Sequence, residues 1–193
     1  KEDVQKLGIE NGDYIAYDPK TVLCESGYIK SRFLDDKLSV CILMSLLESY
    51  KTNHIVPERG FYICISTYEE VGHGASYVPE EVKEFISVDM GCIGEDLSCT
   101  ERDVSICAKD SGGPYDYDIT TLMSNLAKEN NIRHAIDIYP FYGSDTGAAL
   151  KGGNNIKGGL IGPGVAHSHG MERSHIDGVI ATFNLLKAYI DRK

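Results

Sequence analysis

The sequence contains no uninterrupted apolar run of about 18 residues, the length at which a helix can cross a membrane. Its first residues, KEDVQKLGIENGD, have neither the basic start nor the apolar stretch of a secretory signal. We therefore expect a cytoplasmic protein that has no membrane partner.

The sequence also lacks a polybasic run, and its formal net charge is −10 at pH 7. Nucleic-acid binding requires Lys and Arg side chains clustered on one surface, where they neutralise phosphates. The charge pattern therefore argues against a nucleic-acid partner. Part of the acidity could instead come from carboxylates gathered around a cation.

No C-x-x-C pair occurs among the six cysteines, and the spacing of Cys92 and Cys99 fits no common zinc ribbon or knuckle. Cys41 and Cys64 lie inside the apolar runs CILMSLL and FYICIS, where a free cysteine behaves as a small core hydrophobe. We expect Cys41 and Cys64 to be buried and all cysteines to be reduced, as is usual in the cytoplasm.

Strand and helix patterns alternate along the chain after an irregular β-rich start at residues 1–30. Short apolar, β-branched runs predict strands, and apolar residues at helical spacing predict helices. The predicted strands are 61–67, 84–89, 104–109, 132–138 and 160–161. The predicted helices are 38–50, a helix from Asp116 or Asp118 to 130, 143–150, and 176–190, the last with a capping box at 174–177. This alternation indicates an α/β sandwich around a mixed or mostly parallel sheet.

Two pairs of acids lie where function gathers in such sheets, near the ends of strands. Asp35 and Asp36 precede the first long helix, where they either cap that helix or hold cations. Glu69 and Glu70 follow the predicted strand 61–67. Because neighbours at a strand end point in opposite directions, one carboxylate could hold a metal while the other takes a proton from water. A solvated acidic turn is the plain alternative.

Three further polar positions complete the set of candidates. Asp89 ends the next strand, where an aspartate also commonly closes a strand into a turn. His167 and His169 lie in a glycine-bounded loop and could supply an imidazole ligand, although loop histidines without a function are common. Ser144 or Asp145 is expected to cap the helix that follows them. Carboxylate and imidazole ligands without a thiolate suit Zn, Co or Mn.

Five motifs occur in a characteristic order: L-D-D-K, E-E-V-G-H-G-A, V-D-M, G-S-D-T-G and S-H-x-x-E-R. From about Tyr28 onward the chain resembles the glutamyl-aminopeptidase and tetrahedral-aminopeptidase family of dinuclear zinc peptidases, and E-E-V-G-x-x-G-A after a strand is the most specific motif. The resemblance implies a three-layer α/β sandwich with a mixed, mostly parallel central sheet, the phosphorylase/hydrolase-like zinc peptidase fold. It also implies a peptide substrate, two divalent metal ions (Zn, with Co or Mn as alternatives) and a homo-oligomer.

The same resemblance implies a role for each acidic candidate. Asp35 would bridge the two metals, and Asp36 would be held beside it. Glu70 would bind one metal and Asp89 the other. Glu69 would be the general base.

The histidine ligands are less completely represented. The resemblance implies His169 as a ligand through S-H-x-x-E-R, with His167 as the alternative. The family also has an H-x-D motif well before the bridging aspartate, and this chain has none before Asp35. We therefore expect residues 1–30 to be the remnant of an inserted β-rich dimerisation domain and residues 31–193 to be the C-terminal portion of the catalytic domain.

These features predict a metallo-aminopeptidase in which metals polarise the scissile carbonyl and Glu69 carries the proton to the leaving amine. A truncated or degenerate, non-catalytic homologue is one alternative, because a histidine ligand is missing. A related carboxypeptidase or deacylase is another, and a requirement for a free substrate amine would separate it from an aminopeptidase. A cysteine hydrolase is disfavoured, since no cysteine lies in a strand-end loop beside a histidine base.

Overall fold

Helices and strands alternate along residues 1–192, which the computed structural model describes. The helices are α1 Glu2–Lys6, α2 Leu34–Thr52, α3 Tyr117–Glu129, α4 Asp145–Lys151 and α5 Ile176–Asp191, and a 3-10 turn covers Glu69–Val71. The strands are β1 Val22–Leu23, β2 Tyr28–Ser31, β3 Glu84–Val88, β4 Gly91–Cys92, β5 Val104–Asp110, β6 Gly113–Pro114, β7 His134–Ile138, β8 Lys157–Val165 and β9 Glu172–His175. Among the helices described, none combines the length and apolarity needed to cross a membrane.

The main sheet is mixed. β8 runs parallel to β3 and β4, and β5 runs antiparallel to β8. On its other side β5 pairs with β7 in parallel and with β6 in antiparallel orientation. This arrangement confirms the predicted α/β class with a mixed sheet.

Helices cover both faces of this sheet, and two adjacent glycines in β8 let them approach. A Cβ on Gly158 would lie 2.4 Å from Thr146 Cγ2 of α4, and a Cβ on Gly159 would lie 2.6 Å from Ile119 Cγ2 of α3. Since neighbouring strand residues face opposite sides, α3 and α4 lie on opposite faces. The largest apolar cluster lies on the α3 face and includes residues of α2 and α5.

The predicted strand 61–67 is not formed, so this prediction was wrong. Residues 61–66 have no regular secondary structure. They border a groove of about 1030 Å³ that β3 also lines, and Tyr62 and Ile65 are exposed. A short apolar run becomes a strand only where a neighbouring strand satisfies its backbone groups, and local sequence does not carry that information.

The two cysteines expected in the core are at the surface. Cys41 lies on α2 beside the buried Ile42, but the helical period turns it outward, and Cys64 is exposed in the unpaired segment. Cys99 and Cys107 are buried instead. All six cysteines are free thiols.

The start of the chain forms a small second sheet with β9. β1 and β2 are antiparallel, and β2 is antiparallel to β9, so that the order is β1-β2-β9. The expected β-structure of residues 1–30 is therefore partial, because a short helix precedes these strands. The assignment of this segment to an inserted dimerisation domain stays a prediction.

The boundary between β9 and α5 differs from the predicted capping box. His175, not Ser174, is the N-cap of α5, and its Nδ1 accepts a hydrogen bond from the Asp177 amide at 3.0 Å. Ser174 is buried and donates its hydroxyl to the Gly164 carbonyl at 2.8 Å. The serine therefore ties β9 to β8 and does not cap the helix.

Candidate metal centre

Asp35 lies in the first turn of α2, where the backbone departs from helical geometry and the peptide bond to Asp36 is cis. Its side chain is 10% exposed. The Ser168 hydroxyl donates to Asp35 Oδ2 at 2.5 Å, and the Asp35 amide donates to Glu172 Oε2 at 3.0 Å. Asp35 is thus held by Ser168 of the loop before β9 and by Glu172 of β9. The sequence had indicated no role for either residue.

Two other predicted ligands, Glu70 and His169, lie near this carboxylate. Ligand atoms of Asp35, Glu70 and His169 all lie within 4.8 Å of one another. His169 Nε2 is 3.4 Å from Asp35 Oδ2 and 3.2 Å from Glu70 Oε2. Two carboxylates and one imidazole form a donor set that suits zinc and related metals. His167 is exposed and lies outside this group.

Asp89 lies directly after β3 and is 5% exposed. Its Oδ1 accepts a hydrogen bond from the Met90 amide at 2.7 Å. Burial, followed by the charges of Asp35 and Glu69, raises the pKa of Asp89 well above its usual range. Asp89 is therefore an electrostatic neighbour of Asp35, although it lies outside the group of three.

Gly162 of β8 brings the backbone of Asp89 to this position. A Cβ on Gly162 would lie 2.1 Å from the Asp89 carbonyl oxygen and 2.8 Å from the Met90 amide nitrogen, and both are backbone atoms. No side-chain rotation relieves such a contact. The glycine is therefore required for the end of β3 to lie against β8.

Gly162→Ala is expected to lower the free energy of unfolding by about 1–3 kcal/mol, the usual range for overpacking. The matched control is Gly147→Ala in α4, where an added Cβ would meet nothing within 4 Å. Alanine favours helix over glycine by about 1 kcal/mol, so this variant should be as stable as the wild type or more stable. Urea unfolding of the three proteins measures both effects. Equal stability of the two variants would contradict the packing argument.

Asp35 and Asp89 are part of an acidic cluster that also contains Asp36, Glu69 and Glu70, and the pKa values of these three acids are raised. Burial and then the charges of Glu70 and Asp145 raise the pKa of Glu69 to about 7. Burial and then the charge of Asp35 raise the pKa of Asp36 to about 6. For Glu70, burial and Asp35 raise the pKa while His169 opposes the shift. Carboxylates that disfavour one another's charge in this way fit a divalent cation, which would neutralise them.

The two glutamates lie in a 3-10 turn with different surroundings. Glu70 contacts His169, whereas Glu69 is half-buried and faces the charge of Asp145. Gly72 ends the turn at φ +80°, a conformation that favours glycine. A Cβ on Gly74 would lie 2.9 Å from the Glu69 amide nitrogen. The flanking glycines thus allow the chain to double back tightly beside the acids.

Asp145 has a different role from the predicted helix cap. The N-cap of α4 is Ser144, and its side chain makes no capping hydrogen bond. The Ser66 hydroxyl donates to Asp145 Oδ2 at 2.7 Å, and Asp145 Oδ1 is buried without a partner. Asp145 therefore belongs to the acidic cluster, and the G-S-D-T-G motif was its only signal in the sequence.

Comparison with known proteins assigns this chain to a family. The family described as M42 glutamyl aminopeptidase matches residues 1–185. The chain belongs to the M42 glutamyl aminopeptidase family. A Bacillus subtilis (strain 168) protein named "Putative aminopeptidase YhfE" is 43% identical over 191 residues, which are 98% of this chain and 55% of that protein. The chain thus spans about half the length of this relative.

Solved structures of aminopeptidases share the fold. "Aminopeptidase APDkam598 from the archaeon Desulfurococcus kamchatkensis" matches with a TM-score of 0.82 and 19% identity, over 99% of this chain and 56% of that chain. The Pyrococcus horikoshii TET1 peptidase matches with a TM-score of 0.81 and 19% identity, over 100% of this chain and 58% of that chain. These likenesses confirm the predicted α/β fold of this M42 chain.

Proposed function

We propose that this chain is the C-terminal part of the catalytic domain of a metal-dependent aminopeptidase, which removes N-terminal residues from peptides. The observation that carries the proposal is the convergence of Asp35, Glu70 and His169 within 4.8 Å in a chain of the M42 family. These residues come from distant parts of the sequence. Their convergence is therefore a property of the fold and not of a local acidic stretch.

The donor set indicates which residues would hold metal. Asp35, Glu70 and His169 would hold one divalent ion, and Asp35 and Asp89 would contribute to a second. Zn is the expected metal for these donors, with Co or Mn as alternatives. Divalent ions at such a site act as Lewis acids that polarise a scissile carbonyl and activate water.

Glu69 is the proposed general base. Glu69 is half-buried and does not belong to the three converging donors. Burial and then the charges of Glu70, Asp145 and Asp35 raise its pKa. The Glu69 carboxylate is thus free to accept a proton from the attacking water and to return it to the leaving amine. Asp36 and Asp145 add negative charge around it.

The proposal includes assembly with copies of the same chain. One solved structure of similar fold is described as a dodecamer, and the P. horikoshii TET1 peptidase is described as assembling "into a tetrahedron or a large octahedral shell". Light scattering of this protein at its natural length tests the assembly. A monomer over a wide concentration range would contradict it.

A free-amine requirement tests the proposed reaction. Peptides with a free N-terminus should lose their first residue, whereas N-acetylated copies of the same peptides should stay intact. Removal of metal by a chelator should abolish the activity, and added Zn, Co or Mn should restore it. Mass spectrometry of the products is the measurement, applied to this chain and to the protein at its natural length.

Other outcomes distinguish the alternative functions. Release of C-terminal residues or of acyl groups would indicate a carboxypeptidase or a deacylase on the same scaffold. Metal binding without hydrolysis at either length would indicate a non-catalytic homologue. Absence of metal binding at both lengths would contradict the metal centre itself.

A further inference from the structure

Glu172 is a buried carboxylate at the start of β9 and is 2% exposed. It lies in the S-H-x-x-E-R motif, three residues after His169. Burying a carboxylate is costly unless hydrogen bonds compensate. The partners of its two oxygens therefore indicate its role.

Both oxygens accept hydrogen bonds from the backbone of proposed metal ligands. Oε2 accepts from the Asp35 amide at 3.0 Å, and Oε1 accepts from the His169 amide at 3.1 Å. Asp35 and Glu172 are 137 residues apart in the chain. One carboxylate thus connects the start of α2 to the loop before β9.

Glu172 is itself held in place, because β9 pairs with β2 on one side and makes a single bridge on the other. Ser31 of β2 pairs with Glu172, and Arg173 forms a bridge with Ala166, the residue directly after β8. The loop at 167–170, in contrast, is exposed, and His169 has φ +63°, a conformation that non-glycine residues rarely adopt. The hydrogen bond from its amide ties this loop to the paired strand.

We infer that Glu172 is a positioning residue, which holds Asp35 and His169 at the separation that a shared metal ion requires. This inference rests on the proposed metal centre. Replacing a residue that is hydrogen-bonded to a metal ligand typically lowers metal affinity about 10–100-fold. Glu172 reaches the ligands through their main chain, so that it fixes the position of each ligand without occupying a coordination site.

The test compares two buried carboxylates that accept from backbone amides. Glu172→Gln replaces one acceptor oxygen by a carboxamide NH2 group, which is a donor and cannot accept from a backbone amide. Asp137→Asn is the matched control, because Asp137 is also buried and accepts from the amides of Ser98 and Cys99, both at 2.9 Å. Neither of these partners is a candidate ligand.

The measurement is Zn²⁺ binding to metal-free protein, by competition with a chromophoric chelator. Glu172→Gln is expected to weaken binding about 10–100-fold. Asp137→Asn is expected to bind like the wild type. Both variants should unfold at lower urea concentration, because each loses a buried hydrogen bond. Co²⁺ absorption spectra should change for Glu172→Gln alone.

Three results would overturn the inference. Wild-type affinity in Glu172→Gln would do so, and so would an equal loss in both variants, since the effect would then be one of general stability. Absence of Zn²⁺ binding by the wild type at both lengths would contradict the proposed metal centre as well as this inference. The first two results leave the proposed function intact.

Two further measurements apply if Glu172→Gln does not fold. Glu172→Asp keeps the charge but is one methylene shorter, so that it cannot reach both amides, and its affinity should also fall. In the metal-free wild type, the amides of Asp35 and His169 should exchange slowly with deuterium when followed by NMR. Wild-type affinity in Glu172→Asp, or fast exchange of both amides, would contradict the inference.

Discussion

Replacing Glu69 by glutamine is expected to reduce peptide turnover about 10²–10⁴-fold, the usual scale for loss of a general base. Glutamine keeps the size of the side chain but cannot accept the proton. Because Glu69 lies outside the three converging donors, bound metal should change little. Turnover of a free-amine peptide and metal content by mass spectrometry are measured on the protein at its natural length.

A matched control separates this effect from a general loss of negative charge. Glu80 is an exposed acid that follows the same glycine-rich turn, and Glu80→Gln should leave turnover unchanged. If Glu69→Gln is as active as Glu80→Gln, Glu69 is not the base. The paired glutamates would then be only a solvated turn.

Replacing Glu70 by glutamine is expected to remove metal and activity together. Its Oε2 lies 3.2 Å from His169 Nε2, and the substitution converts an anionic donor into a neutral one. Replacing a residue that only hydrogen-bonds to a metal ligand usually lowers metal affinity about 10–100-fold. Because Glu70 would be a ligand itself, the loss of affinity should be larger. Excess Zn²⁺ should restore part of the activity, since the base remains in place.

The two glutamate variants also test each other. Glu69→Gln should bind metal without turning over, and Glu70→Gln should respond to added metal. If Glu69→Gln loses metal while Glu70→Gln retains it, the two roles are exchanged. Metal content and turnover of these two variants, with and without added metal, therefore assign the ligand and the base.

Much of the fold could be predicted because its signals are local. The apolar period of α5 and the buried run of β5 predicted both elements within a residue or two, since each period reports which face is buried. The segment 61–67 has an equally apolar run and forms no strand. A strand depends on its neighbours for hydrogen bonds, and no local pattern specifies them.

The candidate site, like the fold, could be predicted from the sequence only in part. The order of the motifs pointed to Asp35, Glu69, Glu70 and Asp89 through the family resemblance, although each acid by itself also fitted a helix cap, a solvated turn or the end of a strand. The choice between His167 and His169 stayed open in the sequence. Both histidines are exposed in the structure, but only His169 has a ring nitrogen within 4.8 Å of the Asp35 and Glu70 carboxylates among the described residues.

The sequence by itself determined the residue types of the site and most of the elements that carry them. Only the tertiary structure decided that Glu172 joins Asp35 to His169 and that Asp145 faces Glu69 instead of capping α4. The physical reason is that these contacts join segments far apart in the chain. Such contacts exist only where β9 has paired with β2 and α2 has packed against the main sheet, and a local pattern carries no record of that pairing.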